Sequence, residues 1–256
     1  MEDATPPKAP KAAKSEQTRT LILETAMRLF EERGYDKTTM RAIAKEAGVS
    51  VGNAYYYFDS KEHLVQGFYD RLANEHQAAA QELLDSGERD LAARLRGVME
   101  LWLDVSEPYH RFAVQFFKNA ADPESPLSPF SPDSRHAREA TIAIHEKVLS
   151  GSGVKVDPEL AEMLPELLWM YQMGVVLFWV YDCSPGSERT RRLVARTAGL
   201  VARLVALSRY RIMRPVTREA LDALGEFLTF GDRSAGSGSG SGQPPVTPSA
   251  KPASRS

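Results

Sequence analysis

The chain has 256 residues, 32 Lys plus Arg against 34 Asp plus Glu, and a formal net charge of −2; its 43% hydrophobic share is too apolar for global disorder and can fill a sizeable core in one or two domains. The near-neutral balance excludes a uniformly basic nucleic-acid coat but not a local basic surface. A single cysteine excludes an intramolecular disulfide framework and a multi-cysteine metal site, and suits a reducing compartment.

Positions 1–15 are rich in Pro, Ala and Lys, lack the apolar run of a secretory signal, and read as a disordered tail. A first helix is predicted over about 18–33, with Ile22, Ala26, Leu29 and Phe30 on one face and Gly34 at its end. A short helix from Thr38 or Thr39 turns Met40, Ile43, Ala44 and Ala47 inward and breaks at Gly48. Ser50 caps a third helix through about Tyr57, and Ser60 a long fourth with Leu64, Phe68 and Leu72 as its stripe. Leu91, Leu95, Val98, Trp102 and Val105 mark the next helix, and Pro108 opens one carrying Phe112, Phe116 and Phe117. A Pro-rich loop over 121–132 leads to Asp133 or Ser134, either of which can cap a helix with Ala137, Thr141, Ile144 and Val148 inward. Asp157-Pro158 starts a helix to about Cys183, with Pro165 as a kink point. Ser184-Pro185-Gly186 turns the chain into a helix over 187–209, and a last helix spans 217–230. Positions 231–256 form a Gly/Ser/Pro-rich tail, read as disordered. No segment alternates as a strand does, so the fold class is all-α. The most apolar stretch, 167–181, is shorter than the roughly 20 residues of a membrane span and contains Gln172.

The segment 38–58, TTMRAIAKEAGVSVGNAYYYF, joins two short helices through Gly48, with Val49 as a buried plug. Such a pair can lay its second helix in a major groove. An ordinary hairpin in a helical bundle has the same spacing.

The wider stretch LILETAMRLFEERGYDKTTMRAIAKEAGVSVGNAYYYFDSKEHL resembles the N-terminal domain of tetracycline-repressor-type (TetR family) transcriptional regulators. The matching signs are ILxxAxxLF, Gly34-Tyr35, Thr-Thr-x-x-x-Ile-Ala, Ala47-Gly48-Val49-Ser50, then Gly52, Tyr55, Phe58 and Ser60-Lys61-Glu62 leading to Leu64. Asn53-Ala54 departs from the Thr-Leu pair common after the glycine of the family's recognition helix, which bears on the bases read. The resemblance implies a helix-turn-helix domain over 16–62 that reads a double-stranded DNA operator. It also implies a helical effector-binding and dimerisation domain over 63–230. On that reading Gly52 lets the helix approach the groove floor, Asn53 can pair with adenine N6 and N7, and Val51 can touch a thymine methyl. Tyr55 and Tyr56 suit phosphates or a base edge, while Thr39, Arg41 and Lys61 suit the backbone. Tyr57 and Phe58 close the domain's small core. Positions 8–61 hold 10 Lys plus Arg against 7 Asp plus Glu, so Lys37, Arg41, Lys45 and Lys61 must share one face to make a footprint.

The helix over 158–183 is apolar almost all round, which asks for burial on two faces. Leu168, Trp169, Val176 and Trp179 fall on one side, and Leu167, Met170, Gly174, Phe178 and Tyr181 on another. In the next helix Leu193, Leu200, Leu204 and Leu207 form one stripe, and Ala195, Ala198, Gly199, Ala202 and Ala206 a small-residue stripe. Two helices from each of two subunits would make a four-helix homodimer seam containing Trp179, Leu200, Ala202 and Leu204. Either stripe could instead face only the protomer's own core. Trp102, Phe112, Phe116, Trp169, Met170, Gln172 and Met173 are candidates to line a cavity for a small hydrophobic ligand, with plain core packing as the alternative. Gln172 needs a polar partner if buried, in a ligand or another subunit.

Catalytic constellations are lacking: the five histidines form no His-x-x-x-His or Glu-x-x-His set, and no phosphate loop or nucleophile elbow is present. Each histidine reads as a surface or half-buried side chain, and Cys183 as a packed thiol rather than a redox sensor. No metal, cofactor or membrane partner is expected. The sequence therefore reads as a cytoplasmic, ligand-responsive, homodimeric repressor, with a regulator lacking a small-molecule ligand and a helical-bundle enzyme as rivals.

Overall fold

The computed structural model describes residues 11–210 and Glu219. Positions 1–10, most of the predicted helix over 217–230, and the tail over 231–256 lie outside the described residues. Among these residues every regular element is helical: α1 (Lys11–Arg33), α2 (Met40–Glu46), α3 (Val51–Tyr57), α4 (Lys61–Asp85), α5 (Leu91–Ser106), α6 (His110–Ala120), α7 (Arg135–Ser150), α8 (Pro158–Val180) and α9 (Glu188–Ser208).

The cap signals explain most boundaries. The side-chain oxygens of Thr39, Ser50, Ser60, Asp90 and Asp157 accept from backbone N–H groups in the first turns of α2, α3, α4, α5 and α8. Ser134 occupies the N-cap position of α7 without capping it, because its hydroxyl instead donates to the Ser128 carbonyl within the loop. The first helix begins at Lys11, seven residues earlier than its apolar stripe suggests, so 11–15 are helix rather than tail. α8 ends at Val180 instead of Cys183. The chain then turns through Asp182, whose carboxylate accepts from Ser184 and from the backbone and hydroxyl of Thr190 in α9. Burial opposes that charge, but these hydrogen bonds outweigh it and hold the Asp182 pKa well below the usual carboxylate range.

Two apolar clusters form. One joins α1–α3 to the start of α4 and takes in Phe112, Phe116 and Leu127; the other fills α5, α7, α8 and α9 around Leu95, Met99, Ile144 and Leu168. Arg94 ties the second together. Its buried guanidinium donates to the carbonyls of Leu84 in the last turn of α4, of Glu88 in the connection to α5, and of Lys147 and Val148 at the end of α7. A cation there complements two helix C-termini at once. Arg94→Met should lower the unfolding free energy by about 3 kcal/mol or more, given about 1.5–3 kcal/mol for a charged hydrogen bond and incomplete additivity. A loss below about 1 kcal/mol in chemical denaturation would contradict this role. Gly151 leaves the room that Arg94 needs, since a Cβ there would lie 2.2 Å from the guanidinium.

Candidate nucleic-acid interface and the helical core behind it

Gly48 takes φ +68° between α2 and α3, and the Val49 N–H donates to the Ala44 carbonyl at 3.0 Å, closing the turn. Ala54 and Phe58 are buried from α3 into the core of the first three helices. The opposite face stays open: Val51, Gly52, Tyr55 and Tyr56 are exposed and Asn53 is half-buried. A Cβ on Gly52 would meet nothing within 4 Å, so this helix face has clearance for close approach. Arg41 and Lys45 on α2, and Lys37 and the cap residue Thr39 before it, are exposed as well. Phe58 is fully buried and Tyr57 half-buried, the latter's hydroxyl bonded to Ser15 of α1 at 3.1 Å.

Lys61 braces the start of α4. Its Nζ donates to the Tyr35 carbonyl at 2.9 Å and lies 4.2 Å from the centre of the Tyr35 ring, while the Tyr35 hydroxyl donates to Glu62 at 2.8 Å. The start of α4 is thereby locked to the loop after α1. One of three ammonium protons is used, which leaves donors for a phosphate.

The seven predicted cavity residues do not come together. Phe112 and Phe116 stack on each other at 5.1 Å and pack with Phe30, Phe68 and Tyr35, so they weld α6 to the first three helices. Trp102 packs edge-on against Trp179 at 5.2 Å. Trp179 is therefore interior, with its indole N–H donating to Glu107 and its carbonyl bonded to His110, and is no part of an outer seam. Trp169 packs against Phe130 of the 121–134 loop and lies under the Arg138 guanidinium. Met170 and Met173 are half-buried on α8. The polar partner of Gln172 is His145 of α7, whose Nε2–H donates to Oε1 at 2.9 Å.

That contact exposes a missed feature. His145 and His76 are 0% and 1% exposed rather than superficial. His76 on α4 donates from Nε2 to the Val98 carbonyl of α5 at 2.8 Å. A signal was present, since His76 continues the Phe68–Leu72 stripe at i+4 and His145 adjoins Ile144 on the inner face of α7. Burial pushes both imidazoles down to about 4, with the Gln172 bond opposing the shift at His145 and the proximity of His76 adding to it. Cys183 also departs from expectation, being exposed after α8 rather than packed.

The outer faces of α8 and α9 are apolar and uncovered. Gly174, Leu177 and Phe178 on α8 and Tyr181 just after it are exposed, as are Leu200, Leu204 and Leu207 on α9. Ala198 is buried and Ala202 half-buried against the protomer's own core, whereas Ala195 at the start of the small-residue stripe is exposed; in the leucine stripe Leu193 is half-buried and Leu200, Leu204 and Leu207 face outward.

Two family models match this arrangement: "Bacterial regulatory proteins, tetR family" over residues 22–67 and "Tetracyclin repressor-like, C-terminal domain" over residues 94–228. The chain belongs to the TetR family. Members of this family are regulatory proteins rather than enzymes, which sets the helical-bundle enzyme aside. The HTH-type transcriptional repressor KstR2 of Rhodococcus jostii is 41% identical over 86 residues, 32% of this chain and 42% of that protein. The HTH-type transcriptional regulator TtgR of Pseudomonas putida is 40% identical over 96 residues, 36% of this chain and 46% of that protein. The match thus spans less than half the length of these TetR relatives. A TetR regulator from Nitrosomonas europaea superposes with TM-score 0.57 at 19% identity, covering 73% of this chain and 98% of that one. FadR of Bacillus halodurans gives TM-score 0.56 at 17% identity, over 70% and 96%. At such identities the likeness carries the TetR fold alone.

Proposed function

We propose that the chain is a cytoplasmic homodimeric repressor that reads a palindromic operator through α3 and releases it when a small hydrophobic ligand enters the helical domain. The open α3 face, with Gly52 unobstructed between Val51, Tyr55 and Tyr56, is the observation that carries the DNA reading. Asn53 would read a base edge, and Thr39, Arg41 and Lys61 would hold phosphates along with helix N-terminal amides. Asn53→Ala is expected to cost about 1–3 kcal/mol at one base position and relax preference there. Lys61→Ala should weaken binding to every sequence alike and reduce the salt slope by about one phosphate contact. Base preferences unchanged by Asn53→Ala would remove that residue from the groove.

For the dimer, the support is the register of α8 on α9. The Tyr171 hydroxyl bonds Thr197 at 2.6 Å, so these antiparallel helices carry their exposed patches at opposite ends: Leu177, Phe178 and Tyr181 at one, Leu200, Leu204 and Leu207 at the other. A two-fold axis across the pair lays each patch on the other patch of the partner, which is what a self-complementary interface requires. By length and composition α8 could cross a membrane. Its exposed apolar face is the one assigned here to the partner.

For ligand response, the support is the path from core to reading head. Trp169 touches Phe130, and the same loop buries Leu127 in the N-terminal cluster and bonds α4 through Gln66 to the Pro126 carbonyl and Tyr69 to the Leu127 carbonyl. A ligand that moves α7 or α8 would shift this loop, tilt α4, and take the two α3 helices off the roughly 34–36 Å spacing of successive grooves. A coupling of about 1–3 kcal/mol suffices. A regulator without a small-molecule ligand is the second reading, favoured by the internal pairing of Gln172 with His145. Operator release measured across apolar compounds separates the two.

A further inference from the structure

α8 and α9 carry opposite charge. α8 has three carboxylates, Glu159, Glu162 and Glu166, and no cation; α9 has five arginines, Arg189, Arg191, Arg192, Arg196 and Arg203, against the single acid Glu188. Two of these arginines are engaged within the protomer. Arg191 pairs with Asp104 of α5 at 2.7 Å, and the Arg203 Nε donates to the Gly199 carbonyl of its own helix. Arg192 is only loosely held, 3.9 Å from Glu188 with both side chains largely in solvent. The exposed Arg196 has no hydrogen-bond or ion-pair partner among the described residues. On α8, Glu166 is half-buried, within electrostatic reach of Arg138 but not bonded to it.

These charges lie on the same ridges as the exposed apolar residues. Glu166, Met170, Gly174 and Phe178 follow one another at i, i+4 on α8, and Arg192, Arg196, Leu200 and Leu204 do so on α9. The bonded pair Tyr171–Thr197 marks one level of the antiparallel α8–α9 pair. A two-fold axis at that level makes α8 run parallel to the partner's α9, so each step beyond Tyr171 meets the same step beyond Thr197. Counting forward, Gly174 meets Leu200, Phe178 meets Leu204, and Tyr181, just past α8, meets Leu207, which lays one exposed apolar patch on the other. Counting backward in the same register, Met170 meets Arg196 and Glu166 meets Arg192. We propose that Glu166, paired with Arg192 and Arg196 of the partner subunit, fixes the register of the dimer and makes this chain choose its own copy over other chains that present an apolar α8–α9 face. The proposal rests on the dimer reading above and assigns it a polar code. Apolar burial is non-directional and tolerates sliding and mixed partners. A charge set opposite its counterpart penalises the wrong register and the wrong partner, and symmetry repeats the pair at each end of the seam.

The test uses the full chain in two charge-reversed forms, Glu166→Lys and the double variant Arg192→Glu/Arg196→Glu, each with its own fluorophore. Energy transfer and sedimentation read the dimer dissociation constant. Each form alone should dimerise about tenfold more weakly than the parent, because like charges then face each other at both ends of the seam. Mixed together, they should form a heterodimer within about threefold of the parent's affinity, since every reversed side chain finds its counterpart. In about 1 M salt the differences should shrink, as screening shortens attraction and repulsion alike. Reversed forms as tight as the parent, or weakened forms that mixing does not restore, would overturn the proposal. With Leu204→Glu monomeric in the same assay, the dimer reading would survive that result. A monomeric parent would overturn both. If a reversed form fails to fold, the parent decides: its dissociation constant should rise by about threefold or more when salt is raised from about 0.1 M to 1 M. A dimer unchanged or tighter at high salt would overturn the charge pairing.

Discussion

Leu204→Glu is expected to turn a dimer into a monomer and to weaken operator binding by roughly 10³-fold or more, toward the sequence-independent level. Leu204 is 55% exposed in the protomer, so the substitution costs the isolated fold little. In the two-fold arrangement it puts a carboxylate into an apolar seam, and symmetry places the lesion there twice. Phe178→Glu, at the other end of the α8–α9 pair, should act equally, because each patch is the other's partner across the axis. Ala202→Arg is a control of a different kind. Ala202 packs against the protomer's own core, so its replacement should cost stability before it costs association. Sedimentation equilibrium with operator titration reads both effects. A dimeric Leu204→Glu protein with intact operator affinity would reject this interface.

Acid should begin to destabilise the protein above the pH at which carboxylates usually titrate. His76 and His145 are neutral in the fold, with pKa values near 4, whereas in the unfolded chain they return to about 6.5. Between those values the unfolded chain binds protons that the folded chain refuses. Stability is therefore full above about pH 6.5 and falls as pH drops toward 4, by on the order of 3 kcal/mol per histidine. Asp182 acts in a lower window, because its contribution is present above the ordinary carboxylate pKa and is lost only as pH falls below it. Denaturant titrations at pH 7, 6 and 5 isolate the histidines. His76→Leu should flatten the dependence over this range by about 1.4 kcal/mol per pH unit once the unfolded histidine titrates. Equal stability at pH 7 and 5 would mean that these imidazoles are not held neutral.

Much of this molecule was legible from spacing alone. Cap residues at Thr39, Ser50, Ser60 and Asp157 are local signals, and they set helix starts because the orphan N–H groups they satisfy lie within three residues. The open face of α3 was legible for a similar reason, since a seven-residue helix has only one side to bury. The interior was harder. Phe112 and Phe116 have the same aromatic periodicity whether they line a cavity or pack on Phe30, and only the path of α6 decides it. That Ala198 and Ala202 turn inward while Leu200, Leu204 and Leu207 stay outside depends on packing against α5, distant in sequence. Arg94 carries no local signal, because nothing within its own helix reveals the four carbonyls that hold it. His76 and His145 were masked by the ordinary expectation that histidine stays near water, although both occupy stripe positions.

The most direct measurement for the central claim is selection of duplexes from a random-sequence pool by the full chain, followed by sequencing and by mass measurement of the selected complex. The account predicts an inverted repeat whose half-site centres are about one helical turn or a multiple apart, two protomers or a multiple of two on each duplex, and one base position that loses its preference in Asn53→Ala. Enrichment of no sequence, or of a site bound by a single protomer, would contradict it.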